Sequence, residues 1–144
     1  MVVRCKACSR QNRLSVAQLS RTIRCGACKA GLTPVAEPID ADPELFAEIE
    51  RGASIPVLVD FWAAWCGPCR MAAPEVARVA KDMAGRALVV KVDTERHPEI
   101  AGRFHVEGIP NFVVLRNGRL VHQQAGVVSA SQMAGWLEQA TRMS

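Results

Sequence analysis

The six cysteines of this chain fall into three Cys-x-x-Cys pairs, Cys5/Cys8, Cys25/Cys28 and Cys66/Cys69. Two thiols at that spacing can grip one metal ion or close on each other, so each pair points to metal ligation or dithiol–disulfide chemistry, with a chance core feature as the bland alternative. The first two pairs stand together near the N-terminus and the third stands alone. That division predicts two different tasks for them.

The start of the chain, Met1-Val2-Val3-Arg4-Cys5-Lys6, has no apolar core and no cleavage site of a secretory signal. No stretch approaches the roughly 18–20 apolar residues that span a membrane. These features predict a cytoplasmic protein without a membrane contact. Reducing conditions there favour metal or catalytic thiols over structural disulfides.

Charge divides the chain in the same place as the cysteines. Residues 1–34 hold seven basic side chains (Arg4, Lys6, Arg10, Arg13, Arg21, Arg24, Lys29) and no acid, while the remainder carries eleven basic against fourteen acidic residues. A length of 144 residues suits one ordinary domain with a small appendage. The expected organisation is a head at 1–34, a proline-rich linker at 35–41 and a body at 42–144.

The body reads as alternating elements. Asp42-Pro43 is a helix start, with Asp42 as N-cap and Pro43 in the first turn, for a helix to about Arg51. Pro56 to Trp62 and Ala87 to Asp93 are near-continuous apolar runs, the pattern of strands buried on both faces. A helical pattern through Met71, Val76, Val79, Ala80 and Met83 follows the first run, with Pro74 expected to kink it. A short helix over 97–103 comes next. Two strands, Asn111 to Arg116 and Arg119 to Gln124, flank the hairpin signal Asn117-Gly118. A last amphipathic helix from Ser129 buries Met133, Trp136 and Leu137. The predicted order is α-β-α-β-α-β-β-α, an α/β fold with a mixed sheet and helices on both faces.

Cys66 falls where a buried strand gives way to a helix, so free N–H groups and the helix dipole favour its thiolate. Gly67-Pro68 stiffens the turn, and Cys69 lies one turn on, close enough to attack a mixed disulfide. Metal ligation by this pair would need two further ligands, and the other cysteines already form a matched set. The residues Val59-Asp60-Phe61-Trp62-Ala63-Ala64-Trp65-Cys66-Gly67-Pro68-Cys69 resemble the active-site segment of thioredoxins. Pro74, Lys91, Gly108-Ile109-Pro110, Asn117-Gly118 and Gly126 follow at family-like spacing, so residues 40–144 resemble the family from end to end.

The resemblance implies a thioredoxin fold and a protein-disulfide reductase. Cys66 would be the nucleophile and Cys69 the resolving thiol. Asp60 would be the buried carboxylate that takes the Cys69 proton, with Lys91 beside it, although Asp60 alone could be a structural group and Lys91 a solvated strand-end residue. Pro110 would be a cis proline facing the disulfide. Trp65, Gly67, Pro68, Ile109 and Gly126 would form the substrate-docking patch with it. The electron donor would be an NADPH-dependent thioredoxin reductase, the substrates disulfide-containing proteins, and the chain a monomer. Asn111 departs from the threonine usual after the proline.

Cys5-x-x-Cys8 and Cys25-x-x-Cys28, sixteen residues apart, have the spacing of a four-cysteine zinc ribbon, so one structural Zn2+ is expected. Iron or a pair of disulfides are the rivals. The ribbon has few large apolar residues, so metal binding must supply most of its folding free energy. A ribbon fused to this body resembles the zinc-bearing branch of bacterial thioredoxins. The ribbon could dock or stabilise, sense oxidants, or bind nucleic acid; it has no aromatic residue and no recognition helix, which counts against the last. His97, His105 and His122 read as surface residues. The runner-up function is a ribbon-based binding or sensing module with the body as scaffold; a third reading is an oxidant or isomerase.

Overall fold

The computed structural model describes residues 1–143. In the head, β1 (Val2–Arg4) pairs antiparallel with β2 (Gln11–Arg13), and β3 (Ile23–Arg24) with β4 (Gly31–Leu32). Each hairpin turns on one cysteine pair, through the same bonds. Cys5 N–H donates to Arg10 O and Ser9 N–H to Cys5 O, both 2.8 Å; Cys25 N–H donates to Ala30 O at 2.8 Å and Lys29 N–H to Cys25 O at 3.1 Å. A short 3₁₀ helix, Val16–Ser20, lies between the hairpins.

The body contains β5 (Ile39–Asp40), α1 (Pro43–Gly52), β6 (Val57–Trp62), α2 (Gly67–Asp82), β7 (Leu88–Asp93), α3 (Pro98–Arg103), β8 (Asn111–Arg116), β9 (Arg119–Ala125) and α4 (Ala130–Thr141). The sheet order is β5-β7-β6-β8-β9. The first three strands are parallel, β8 runs against β6, and β9 runs against β8. This is the thioredoxin-type mixed sheet flanked by helices.

Local chemistry explains the boundaries. The Asp42 carboxylate accepts from Leu45 N–H at 2.8 Å and caps α1, with Pro43 in the first turn. Ser129 caps α4 in a reciprocal box with Gln132. Asn117 and Gly118 have φ of 53° and 76°, the left-handed pair that a two-residue hairpin turn requires.

Alternation along the strands builds two apolar layers. Val57, Val59 and Phe61, with Val90, Val92, Val113 and Leu115, pack under Phe46 and Ile49 of α1 and Ile100 of α3. On the other face Leu58, Val89, Phe112 and Val114 pack under Val76 and Val79 of α2 and Met133 and Leu137 of α4.

Four expectations are corrected. Ile39–Asp40 lies in the expected linker yet pairs with Val90–Lys91 as a parallel edge strand, making the body order β-α-β-α-β-α-β-β-α. Two residues show no alternation, and Pro38 and Pro43 disguise them, but Ile39 is buried in the core. Met71 belongs to the helical pattern yet is 70% exposed, because the buried face of α2 is set by Ala72, Val76 and Val79. Trp136 is only half-buried; its ring lies tilted against His122, with centroids 4.4 Å apart. His122 is therefore not a plain surface residue: it pairs with Val114 on the α4 side of the sheet and is half-buried there.

The head is less of an appendage than its composition implies. Leu14, Val16 and Leu19 are buried within the α1-side core of the body. A Cβ on Gly52 would meet Val16 Cβ at 3.2 Å, so the end of α1 and the head approach as closely as a glycine allows. Gly85, before β7, lies against Ser20 and Pro34. These contacts sit where β6 and β7 begin, and the Cys66–Cys69 pair follows where β6 ends. A six-residue strand separates the two, about 20 Å.

Leu19→Ala should therefore cost the body about 2–5 kcal/mol. All three tryptophans lie in the body, so denaturant unfolding followed by tryptophan fluorescence reads this directly. An unmoved transition would show that the head is not part of the body's core.

Candidate active site and metal centre

β6 is the central strand of the five, and its C-terminal end delivers the chain to α2 within four residues. Cys66 is the N-cap of α2, and its sulfur accepts a hydrogen bond from Cys69 N–H at 3.2 Å. Pro68 occupies the first turn, where its missing N–H costs nothing. Cys66 and Cys69 are joined as a disulfide, with Cα atoms 5.2 Å apart. Both are buried with Ala63, against Trp62 and Ile109.

Several sequence-predicted residues converge around this pair. The Ile109–Pro110 peptide is cis, and Ile109 O lies 3.7 Å from Cys66 Sγ. Trp65 is 65% exposed, and its indole N–H donates to Glu95 at 2.8 Å. Gly67 and Pro68 are exposed beside it. Gly126 N–H donates to Pro110 O at 2.8 Å, which ties the far end of β9 to the same loop. Glu95 carried no motif signal; only the fold brings it to the edge of the Trp65 ring.

Asp60 and Lys91 are register neighbours on β6 and β7, on the face that α2 and α4 cover. Asp60 is 2% exposed, and Oδ1 has no hydrogen-bond partner among the described residues. Burial pushes its carboxyl up to about 7, against the pull of the Lys91 ammonium. Lys91 itself sits over the Trp62 ring, 4.6 Å from its centroid, and lines an open cleft of about 390 Å3. The ammonium thus keeps contact with solvent while the carboxylate does not.

The four head cysteines meet at the other end of the molecule. Their sulfurs all lie within 4.8 Å of one another. Cys5 and Cys28 are 3.7 Å apart, and Cys8 and Cys25 3.6 Å. A tetrahedron of sulfurs about 2.3 Å from a central ion has edges of about 3.8 Å. The cluster therefore could hold a metal ion. Backbone N–H groups of Cys28 and Ala27, with Asn12, pull the Cys25 thiol below its ordinary value. Asn12 was not legible as a site residue. Its Nδ2 donates to Cys25 Sγ at 3.6 Å and its Oδ1 accepts from Gly26 N–H at 2.9 Å, which orients one knuckle from the other hairpin.

Comparison with known proteins agrees with this geometry. Residues 37–139 match the thioredoxin family model. Thioredoxin C-3 of Corynebacterium nephridii is 34% identical over 139 residues, covering 96% of this chain and 94% of its own, so the match runs through the head as well. Thioredoxin 1 of Chlorobaculum tepidum is 43% identical over 86 residues, 60% of this chain and 85% of its own. Among solved structures, a mutant thioredoxin from Halobacterium salinarum superposes with a TM-score of 0.70 at 27% identity, over 80% of this chain and 99% of that one. With the strand-to-helix cysteine pair in place, the chain belongs to the thioredoxin family and is a thiol–disulfide oxidoreductase.

Proposed function

We propose that the chain is a general protein-disulfide reductase that cycles Cys66 and Cys69 between dithiol and disulfide. The observation that carries this reading is the position of Cys66 as N-cap of α2, beside an exposed tryptophan and the Ile109 carbonyl. In the reduced protein the Cys66 thiolate attacks one sulfur of a target disulfide. A Cys66–target bond forms, and the other target sulfur leaves as a thiolate and takes a proton from solvent. Cys69 then loses its proton to Asp60 and attacks Cys66 Sγ. The Cys66–Cys69 bond forms, the second target thiolate leaves, and two electrons have passed to the target. Asp60 suits the transfer because its carboxyl titrates near neutrality, and Lys91 steadies its anion. Trp65, Gly67, Pro68, Ile109, Pro110 and Gly126 form the docking surface, where an extended target segment lies along the 109–110 backbone. Re-reduction falls to an NADPH-dependent thioredoxin reductase.

Residues 1–34 form a ribbon unit and residues 42–144 the catalytic body, with 35–41 connecting them and contributing β5. Cys5, Cys8, Cys25 and Cys28 would hold one Zn2+; a closed four-thiolate site supplies folding free energy and leaves no position for substrate. The ribbon's distance from Cys66 favours a stabilising or docking role over a part in the chemistry. Thiols held reduced fit a cytoplasmic setting, and no described helix is long and apolar enough to cross a membrane. Nucleic acid is a poor partner for a ribbon without aromatic residues, and the chain acts as a monomer.

NADPH consumption with thioredoxin reductase and insulin should be lost in Cys66→Ser, with the metal retained. A folded, metal-loaded wild type without turnover would move the sensing-module reading to the front. Cys25→Ser should drop zinc from about one ion per chain to near none by elemental analysis, and should lower the body's melting temperature through the shared core. Full zinc occupancy in that variant would refute the four-cysteine site.

Asp60 also sets a pH dependence. Its folded carboxyl titrates at about 7, against about 3.9 when unfolded. Between those values the folded state binds more protons, so stability falls as pH rises through this window and levels off above it. Asp60→Asn should remove this slope and add on the order of 2–4 kcal/mol at pH 8. It should slow turnover at least about ten-fold. A variant with the wild-type slope would show that the carboxyl is not the group responsible.

A further inference from the structure

The two buried polar residues of the described chain are Asp60 and Asn111. They sit on neighbouring strands, since Phe61 pairs with Asn111, but on opposite faces of the sheet. The mechanism uses the first and leaves the second unexplained. Asn111 follows the Ile109–Pro110 peptide, and its side chain is part of a chain of carboxamide bonds. Its Nδ2 donates to Gly108 O at 3.3 Å. Its Oδ1 accepts from Gln123 Nε2 on β9 at 3.1 Å. The same Gln123 nitrogen donates its second hydrogen to Phe104 O at 2.9 Å, at the C-terminal end of α3.

These bonds bracket the loop from Phe104 to Pro110. The start of the loop is held by backbone bonds from Phe104, His105 and Val106 to the last turn of α3. Among the described residues, Glu107, Gly108 and Ile109 make no backbone–backbone hydrogen bond outside regular elements. Among the described residues Gly108 O is held by Asn111 alone, and Ile109 O lies 3.7 Å from the Cys66 sulfur. A buried amide with both ends satisfied fixes one geometry, and it can do so only while its partner stays in register. Asn111 and Gln123 are diagonal neighbours across β8 and β9, because Asn111 pairs with Ala125 and Val113 with Gln123.

We propose that Asn111 and Gln123 act as one positioning unit that presents the 108–110 backbone to extended protein substrates, and so sets affinity for protein disulfides without touching the thiol chemistry. This rests on the reductase reading above. A threonine hydroxyl can donate and accept at once, but it does both from one oxygen on an arm one atom shorter, so it does not reach Gly108 O and Gln123 Nε2 from two separate atoms as the amide does. Substrates that need no strand pairing should be blind to the unit.

The test compares insulin with hydroxyethyl disulfide as substrates, both coupled to thioredoxin reductase and NADPH. The variants are Asn111→Thr, Gln123→Met, Gln123→Glu and the Asn111→Thr/Gln123→Met double. Gln123 is exposed, so its variants leave the core packed, and Gln123→Glu keeps the shape while losing both donated bonds. Each single change should raise KM for insulin about three- to ten-fold with kcat little altered. The double variant should be no worse than the more affected single, because the pair acts as a unit. The specificity constant for hydroxyethyl disulfide and the Cys66 thiolate titration followed by ultraviolet absorbance should not move. Equal losses on both substrates, additive single effects or an unchanged insulin KM would each overturn the inference while wild-type turnover leaves the reductase reading standing. A wild type inert towards insulin would overturn both.

Discussion

Between Trp62 and Gly67 the chain leaves the centre of the sheet and enters α2, so the sulfur of Cys66 stands where the unpaired N–H groups of a sixteen-residue helix begin. That junction demands a strand buried on both faces, which β6 supplies through Val57, Leu58, Val59 and Phe61. It demands helices on both sides to bury them, and the α1 and α2 layers meet that need. It also places the one charged residue of the strand, Asp60, in the dry interior behind the thiols. The raised carboxyl is the cost of that placement and the source of its usefulness, because a carboxylate left in water would titrate far below neutrality.

The head obeys a different constraint. Its thirty-four residues cannot enclose a core, yet Leu14, Val16 and Leu19 are buried. They are buried because the body completes them, with Gly52 and Gly85 marking its close approaches to the head. The segment between the two knuckles is thus held twice, by the cysteines at its ends and by the body in its middle. A metal ion at the four thiols would order the knuckles and thereby the same segment that the body packs against, which would link metal and body stability without any contact at the redox pair.

Long signals were legible and short ones were not. The strands at 57–62 and 88–93 announce themselves as apolar runs, and the caps at Asp42 and Ser129 follow from side chains that accept backbone hydrogens. The hairpin at Asn117-Gly118 needs two left-handed residues, and few other dipeptides provide them. β5 escaped because two residues between prolines carry no period. Met71 was misplaced because periodicity marks a stripe and cannot say where the stripe's edge falls. The candidate site residues near Cys66 were legible through a motif; Asn12, Glu95 and Gln123 were not, since each reaches its partner across a distance in sequence that only the fold closes.

Where a core accepts a polar side chain, something must offset the lost hydration. Asp60 and Asn111 resolve this in opposite ways, and the contrast separates their roles. Asn111 is satisfied at both ends, so its interaction is directional and static, suited to holding a backbone in one place. Asp60 keeps an oxygen with no hydrogen-bond partner among the described residues and a pKa near neutrality, so it is poised to change charge. A fully bonded Asp60 would be a fixed anion unable to take a proton at neutral pH, and an unbonded Asn111 would leave Gly108 untethered. In the mechanism proposed above, one face of the sheet carries the group that would move a proton, and the other face the group that would keep the 108–110 loop still. The disulfide lies at the end of the strand between them.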